Sequence, residues 1–102
     1  MSIKIGRFNF EGPYSSTAAL EDKAGVYAII DDRTSSLIVI DVGESVTVKS
    51  RLEKHERESC WARNRIGTLK VAVLYTPGMQ QVGRMQIEQE IREQFSPVCG
   101  VR

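Results

Sequence analysis

Three β-prone runs constrain this chain more than any other feature. Gly25-Val26-Tyr27-Ala28-Ile29-Ile30, Leu37 to Val42 and Leu69 to Thr76 are short, rich in β-branched residues and bounded by turn formers, the pattern that strands require. Asp31 through Ser36 reads as a polar turn, so the first two runs are predicted to form a hairpin, and Pro77-Gly78 closes the third. Upstream, Ile3-Lys4-Ile5 and Phe8-Asn9-Phe10 alternate apolar with polar residues and predict a short strand before the Gly12-Pro13 turn. Ser16 to Asp22 reads as a short helix, capped by Ser15 or Ser16 and ended by Lys23-Ala24-Gly25.

Two longer segments carry helical spacing. After a turn on Gly43, Ser45 is placed to cap a helix running to near Ser59. Val48, Leu52 and His55 fall on one face of it, with Arg51 at the border. Cys60 to Gly67 reads as an irregular basic connection whose Trp61 plugs the core. The last helix is predicted from about Gln81 to Phe95, before Pro97, with Ile87, Ile91 and Phe95 as its buried stripe. On a helical wheel Glu88 and Arg84 lie on that side, whereas Glu90 and Glu93 point away. These elements predict an α+β domain, a small and mainly antiparallel three-stranded sheet flanked by helices.

At 102 residues the chain suits one domain. Residues 1–102 are read as that domain, with a core over about 25–100 preceded by the strand and short helix of 1–24. No apolar run approaches the roughly 18 residues of a membrane helix, and Met1 to Arg7 lacks the apolar segment of a secretory signal. Two cysteines, Cys60 and Cys99, are too few for a disulfide framework. Reduced thiols and a cytoplasmic location are therefore expected. The net charge of +1 conceals an asymmetry, because residues 46–70 carry seven basic side chains against three acidic ones. Such a basic middle suits a phosphate-binding surface. It equally suits a solvated helix face, with Glu53 and Arg57 spaced for an ion pair.

Few residues force a chemistry individually. His55, Cys60 and Cys99 lack the paired spacing of a zinc site and nothing aligns a Cys–His nucleophile pair. Gly43 at a helix entrance can offer amides to an anion. Tyr27 in a strand is ordinarily a core tyrosine with its hydroxyl satisfied. Glu88 facing inward needs a partner or a metal, and an Arg84–Glu88 ion pair is the simplest partner.

Taken in order, however, Gly25-Val26-Tyr27, Asp41-Val42-Gly43, Arg51, His55 and Glu88 before Pro97 resemble the GIY-YIG nuclease superfamily. The first triplet resembles the GIY element, and Asp41-Val42-Gly43 stands where the YIG element belongs. Arg51 and His55 follow at the family's helix spacing, and Glu88 matches the glutamate of its last core helix. The resemblance spans roughly residues 25 to 100. It implies a sheet of three antiparallel strands and metal-dependent endonucleolytic hydrolysis of DNA. Glu88 would bind one Mg²⁺ or Mn²⁺, Tyr27 would activate or position the attacking water, and Arg51 would neutralise charge on the phosphate. His55 would assist by proton transfer or phosphate contact, while Gly43, Lys49 and Lys54 would contact the substrate.

Three departures qualify that transfer. Asp41 replaces the second-motif tyrosine, Glu44 follows the motif glycine where some members carry lysine, and Cys99-Gly100 stands where asparagine is frequent. Strand alternation puts Asp41 on the face of Leu37 and Val39, pointing inward as an additional site member. Asp41 and Glu44 favour a second reading, a catalytically inactive module of the same fold that binds nucleic acid or a protein partner. A protein partner supplying specificity is compatible with both readings. The third is structural, with His55 and Glu88 closing polar contacts in a core.

Overall fold

The two strongest β-runs pair as the sequence suggests, and their pairing sets the rest of the architecture. In the computed structural model, which describes residues 1–100, β3 (Gly25–Arg33) lies antiparallel to β4 (Ser36–Ser45). The ladder runs from Gly25 opposite Ser45 to Arg33 opposite Ser36, leaving Thr34 and Ser35 to turn. On its other side β3 pairs antiparallel with β5 (Thr68–Tyr75). The N-terminal segment supplies β1 (Ser2–Ile5) and β2 (Phe8–Tyr14), and the order is β1-β2-β5-β3-β4. The sheet thus has five antiparallel strands, curled into a half-barrel, rather than three. The single N-terminal strand expected from its alternation is a hairpin, because Gly6 at φ +63° reverses the chain inside it.

Both faces of β3 are covered, which is why its sequence is almost continuously apolar. One face presents Val26, Ala28 and Ile30 to a cluster that includes Phe10, Val42, Ala72 and Ile91. The opposite face presents Tyr27 and Ile29 to Val48, Leu52, Trp61, Val71 and Val73. The predicted helix after Ser16 is only a 3-10 turn, Thr17–Ala19, with the Ser16 hydroxyl accepting from the Ala18 amide.

The expected helix from Ser45 to Ser59 is broken into two. β4 continues through Ser45; α1 covers Val48–Glu53 and α2 covers Glu58–Asn64. Around His55, local side-chain bonds replace helical ones: its amide donates to Glu58 Oε1, and its Nδ1 accepts from the Arg57 amide. Cys60 to Asn64 is consequently helical rather than irregular, and Trp61 is buried. The Ser45 hydroxyl accepts from the Thr47 amide just ahead of α1 instead of occupying its N-cap.

The last helix, α3, covers Gln81–Phe95 as expected. Ile91 is buried, but Phe95 is exposed beside the left-handed Ser96 that ends the helix. Its ion pairs also differ from the predicted Arg84–Glu88 contact. Arg84 Nε reaches Glu44 at 2.9 Å and Glu88 accepts from Arg92 at 3.2 Å. Likewise Arg57 pairs with Asp41 rather than Glu53, because the break after α1 removes the helical spacing and Asp41 is fully buried.

Two further expectations are overturned. Ile29 pairs with Asp41 but Ile30 with Val39, so Ile40 is an extra residue in β4. This bulge re-phases the side chains: Val39 packs with the α3-side cluster, while Asp41 meets Trp61 on the Tyr27 side. Cys60 and Cys99 are not free thiols but a disulfide, with Cα atoms 6.0 Å apart. The Cys99 amide bonds to the Ile40 carbonyl, which brings the segment after α3 against β4 and α2. Among the described residues no helix is long and apolar enough to cross a membrane.

Candidate active site

The site is built around a phenol lying over a glycine. Tyr27 on β3 faces Gly43 on β4 in the ladder, and a Cβ at position 43 would collide with the Tyr27 hydroxyl and ring. Glycine there lets the Tyr27 side chain lie across β4, so the contribution of Gly43 is space. Tyr27 Oη stands 2.6 Å from His55 Nε2. The other imidazole nitrogen, Nδ1, accepts from the Arg57 amide at 3.1 Å. A neutral His55 therefore carries its proton on Nε2 and donates it to the Tyr27 oxygen, leaving the phenol's own proton for another acceptor.

Electrostatics keep both groups uncharged near neutrality. Burial, reinforced by the cations of Arg51 and Arg57, pushes His55 down to about 4. Burial also pushes Tyr27 up to about 12, with Arg51 and Arg57 opposing the rise. Trp61 packs on the histidine, ring centroids 4.7 Å apart, and so fixes the imidazole as well as plugging the core.

Arg51 on α1 acts on the same phenol through its charge. Both of its terminal nitrogens also bind Glu56, at 2.6 and 2.8 Å. That pairing raises the Arg51 pKa and holds Glu56 down to about 2. Glu88 on α3 is buried, bonded to Arg92 and close enough for its charge to act on Tyr27. Tyr27 on β3 and His55 in the turn after α1 are thus in direct contact, while Arg51 on α1 and Glu88 on α3 act on the phenol through their charges. Lys49 is half-buried within α1 and Lys54, at its C-terminal end, is exposed.

Asp41 stands behind this group. Its carboxylate accepts from Arg57 Nε at 2.7 Å, Trp61 Nε1 at 2.7 Å, Arg92 Nη2 at 2.9 Å and its neighbouring Val42 amide at 2.8 Å. Arg92 also donates to the carbonyls of Val42 and Cys99. Asp41 is therefore occupied in joining β4, α2 and α3. Arg57, Trp61, Arg92 and Glu56 were not apparent as site neighbours in the sequence. Only the four-residue step from Glu88 to Arg92 carried a signal for any of them.

The donor chemistry bears on a metal in one way. Among the described residues no three His, Cys, Asp or Glu side chains converge as a ligand set, so a cation here would rely on Glu88 alone. That suits Mg²⁺, which retains most of its waters and borrows substrate oxygens. The architecture defines the class of domain, α+β with a five-stranded antiparallel sheet and three helices. Comparison with known protein families, curated proteins and solved structures found no match.

Proposed function

We propose that this chain is a metal-dependent endonuclease that hydrolyses DNA phosphodiester bonds by a GIY-YIG-type mechanism. The observation that carries the reading is the 2.6 Å contact between Tyr27 and His55, on a phenol that Arg51 and Glu88 also reach electrostatically. A phenol, a neutral imidazole, a guanidinium and a carboxylate are the groups that phosphodiester hydrolysis uses.

In this reading His55 fixes the Tyr27 oxygen, and the phenol's own proton orients the attacking water. Arg51 leaves Glu56 to neutralise charge building on the phosphate. Lys49 and Lys54 hold the strand through its backbone, and Gly43 leaves room for the Tyr27 ring to lie across β4. Mg²⁺ or Mn²⁺ held by Glu88 would supply Lewis-acid polarisation of the phosphate and stabilise the leaving oxygen.

A second reading, an inactive module binding nucleic acid or a protein partner, is favoured by one specific feature. Each acid near the phenol already has an arginine: Glu88 has Arg92, Glu56 has Arg51, and Asp41 has both Arg57 and Arg92. Nicking of supercoiled plasmid in Mg²⁺ and in Mn²⁺ separates the readings. Loss of nicking in Glu88→Ala and Tyr27→Phe supports the nuclease. Gel-shift binding of the same DNA without nicking supports the module, and neither activity leaves the residues as core contacts.

A further inference from the structure

Glu44 was a misfit in the sequence pattern, an acid beside a site that should receive phosphate. Because it follows Gly43 in β4, Glu44 faces the opposite side of the sheet from Tyr27, where α3 packs. There Arg84 Nε donates to Glu44 Oε1 at 2.9 Å and Gln81 Nε2 donates to Oε2 at 3.1 Å. The two carboxylate oxygens are thus held by two donors from successive turns of α3, the arrangement with which proteins also hold two oxygens of a phosphate. Arg84 is itself anchored, since its Nη1 donates to the Met79 carbonyl at 2.9 Å, and it is only 7% exposed.

This contact forms one wall of a cleft of about 310 Å³ lined by Glu44, Ser45, Val46, Arg51, Gln81 and Arg84. Arg51, from α1, enters the cleft from the side of Tyr27. Two guanidiniums therefore line one open space, and among the described residues the one acid lining it is Glu44, already bound to Arg84.

We propose that this cleft is a second phosphate site, and that the Glu44 carboxylate is a built-in occupant which an incoming phosphate displaces. The proposal rests on the nuclease reading, in which Arg51 engages the scissile phosphate; Arg84 and Gln81 then receive a neighbouring phosphate of the same strand. Glu44 lies near the end of an edge strand, beside the exposed Val46, so its side chain can swing to solvent without unpairing the sheet. Before DNA arrives, the carboxylate keeps Arg84 paired and the cleft preformed. Its displacement makes binding weaker but selective for a ligand carrying more than one phosphate.

The test is fluorescence anisotropy of a short DNA duplex, in Ca²⁺ and over a range of salt, with Glu44→Gln, Arg84→Gln, their double variant, Gln81→Glu and Lys54→Gln. Thermal unfolding is recorded for each. Glu44→Gln is expected to tighten binding several-fold and to steepen the salt slope by about 1, as one more phosphate contact should. Arg84→Gln in the Glu44→Gln background is expected to cancel both gains. Gln81→Glu reads the same cleft from an exposed position, where loss of folding is not an issue, and is expected to weaken binding several-fold. Weakening by Lys54→Gln alone, with no response from the cleft variants, would overturn the second site and leave the nuclease reading standing. No duplex binding by any of the proteins would remove both. A free phosphate has the same chemistry, so calorimetry with inorganic pyrophosphate is the second arm. Pyrophosphate binding by Glu44→Gln with unchanged duplex affinity would assign the cleft to a small anion and overturn its role in strand binding.

Discussion

Two aspartates of one hairpin, Asp31 on β3 and Asp41 on β4, are both fully buried, yet they are held in different ways. Asp31 accepts from the amides of Ile66 and Gly67, each at 2.8 Å, and from Arg33 at 2.9 Å. Its partners are mainly backbone, so it pins the loop entering β5. Asp41 accepts chiefly from side chains, the guanidiniums of Arg57 and Arg92 and the indole of Trp61. Those three come from the segment leading into α2, from α2 itself and from α3, and each has a second task at the site. The Arg57 amide sets the His55 tautomer, Arg92 holds Glu88, and Trp61 packs on the imidazole. A buried acid can tie down a loop or organise a site, and the source of its donors distinguishes the two.

The largest expected effect follows from removing the organiser. Asp41→Ala leaves two guanidiniums without their shared carboxylate and should cost about 3–5 kcal/mol. Asp31→Ala strands two amides and one partly exposed arginine and should cost about 1–3 kcal/mol. Urea unfolding of both variants checks the pair, and equal losses would break the comparison.

The disulfide sharpens the comparison further. Cys60–Cys99 closes on the Asp41 side, where the Cys99 carbonyl accepts from Arg92. Reduction should cost about 2–4 kcal/mol. Amide exchange should then rise around Ile40 to Val42 before it rises around Asp31.

Acid should separate the two ends as well. The folded His55 pKa lies near 4 against an ordinary 6.5, so between these values the unfolded chain binds more protons and stability falls as pH drops. The contribution is about 3 kcal/mol, intact above pH 6.5 and fully lost below about 4. Asp31 is lowered from 3.8 by the Ile66 amide, Arg33 and the Gly67 amide, against its burial. Its contribution is intact above 3.8 and is lost only as pH falls further. His55→Gln should therefore flatten the stability profile from pH 6.5 to 4 and leave the more acidic limb in place. The smallest effect is reserved for Glu56→Gln: the acid is exposed, so the melting temperature should hardly move, while Arg51 is released toward substrate and nicking should not fall.

The same contrast explains what was legible in the sequence. Strong β-runs gave β3, β4 and β5, since alternation and β-branching report directly on sheet burial. Period 3.6 gave the span of α3 and the inward face of Glu88. Asp31 was read as part of a polar turn because an acid donates no apolar signal even when backbone amides bury it. The α1–α2 break was hidden because it depends on His55 bonding to Arg57 and Glu58, which imitates helical spacing in the sequence. The bulge at Ile40 inverted the face assigned to Asp41, since one extra residue re-phases a period of two. The Cys60–Cys99 bond depends on the return of the chain after α3, a long-range event with no local pattern. Arg57, Trp61 and Arg92 were missed for the same reason: all three converge on Asp41 only once the sheet and helices are assembled.

The central claim is that Tyr27, Arg51, His55 and Glu88 act as one site at which Glu88 holds a divalent ion. The most direct measurement is Mn²⁺ titration of the ¹⁵N-labelled protein with a short DNA duplex, followed by paramagnetic broadening of amide signals. The account predicts broadening centred on Glu88, Tyr27 and Gly43, abolished in Glu88→Ala. Broadening confined to exposed carboxylates such as Glu21, Glu53 and Glu93, and unchanged in Glu88→Ala, would contradict it.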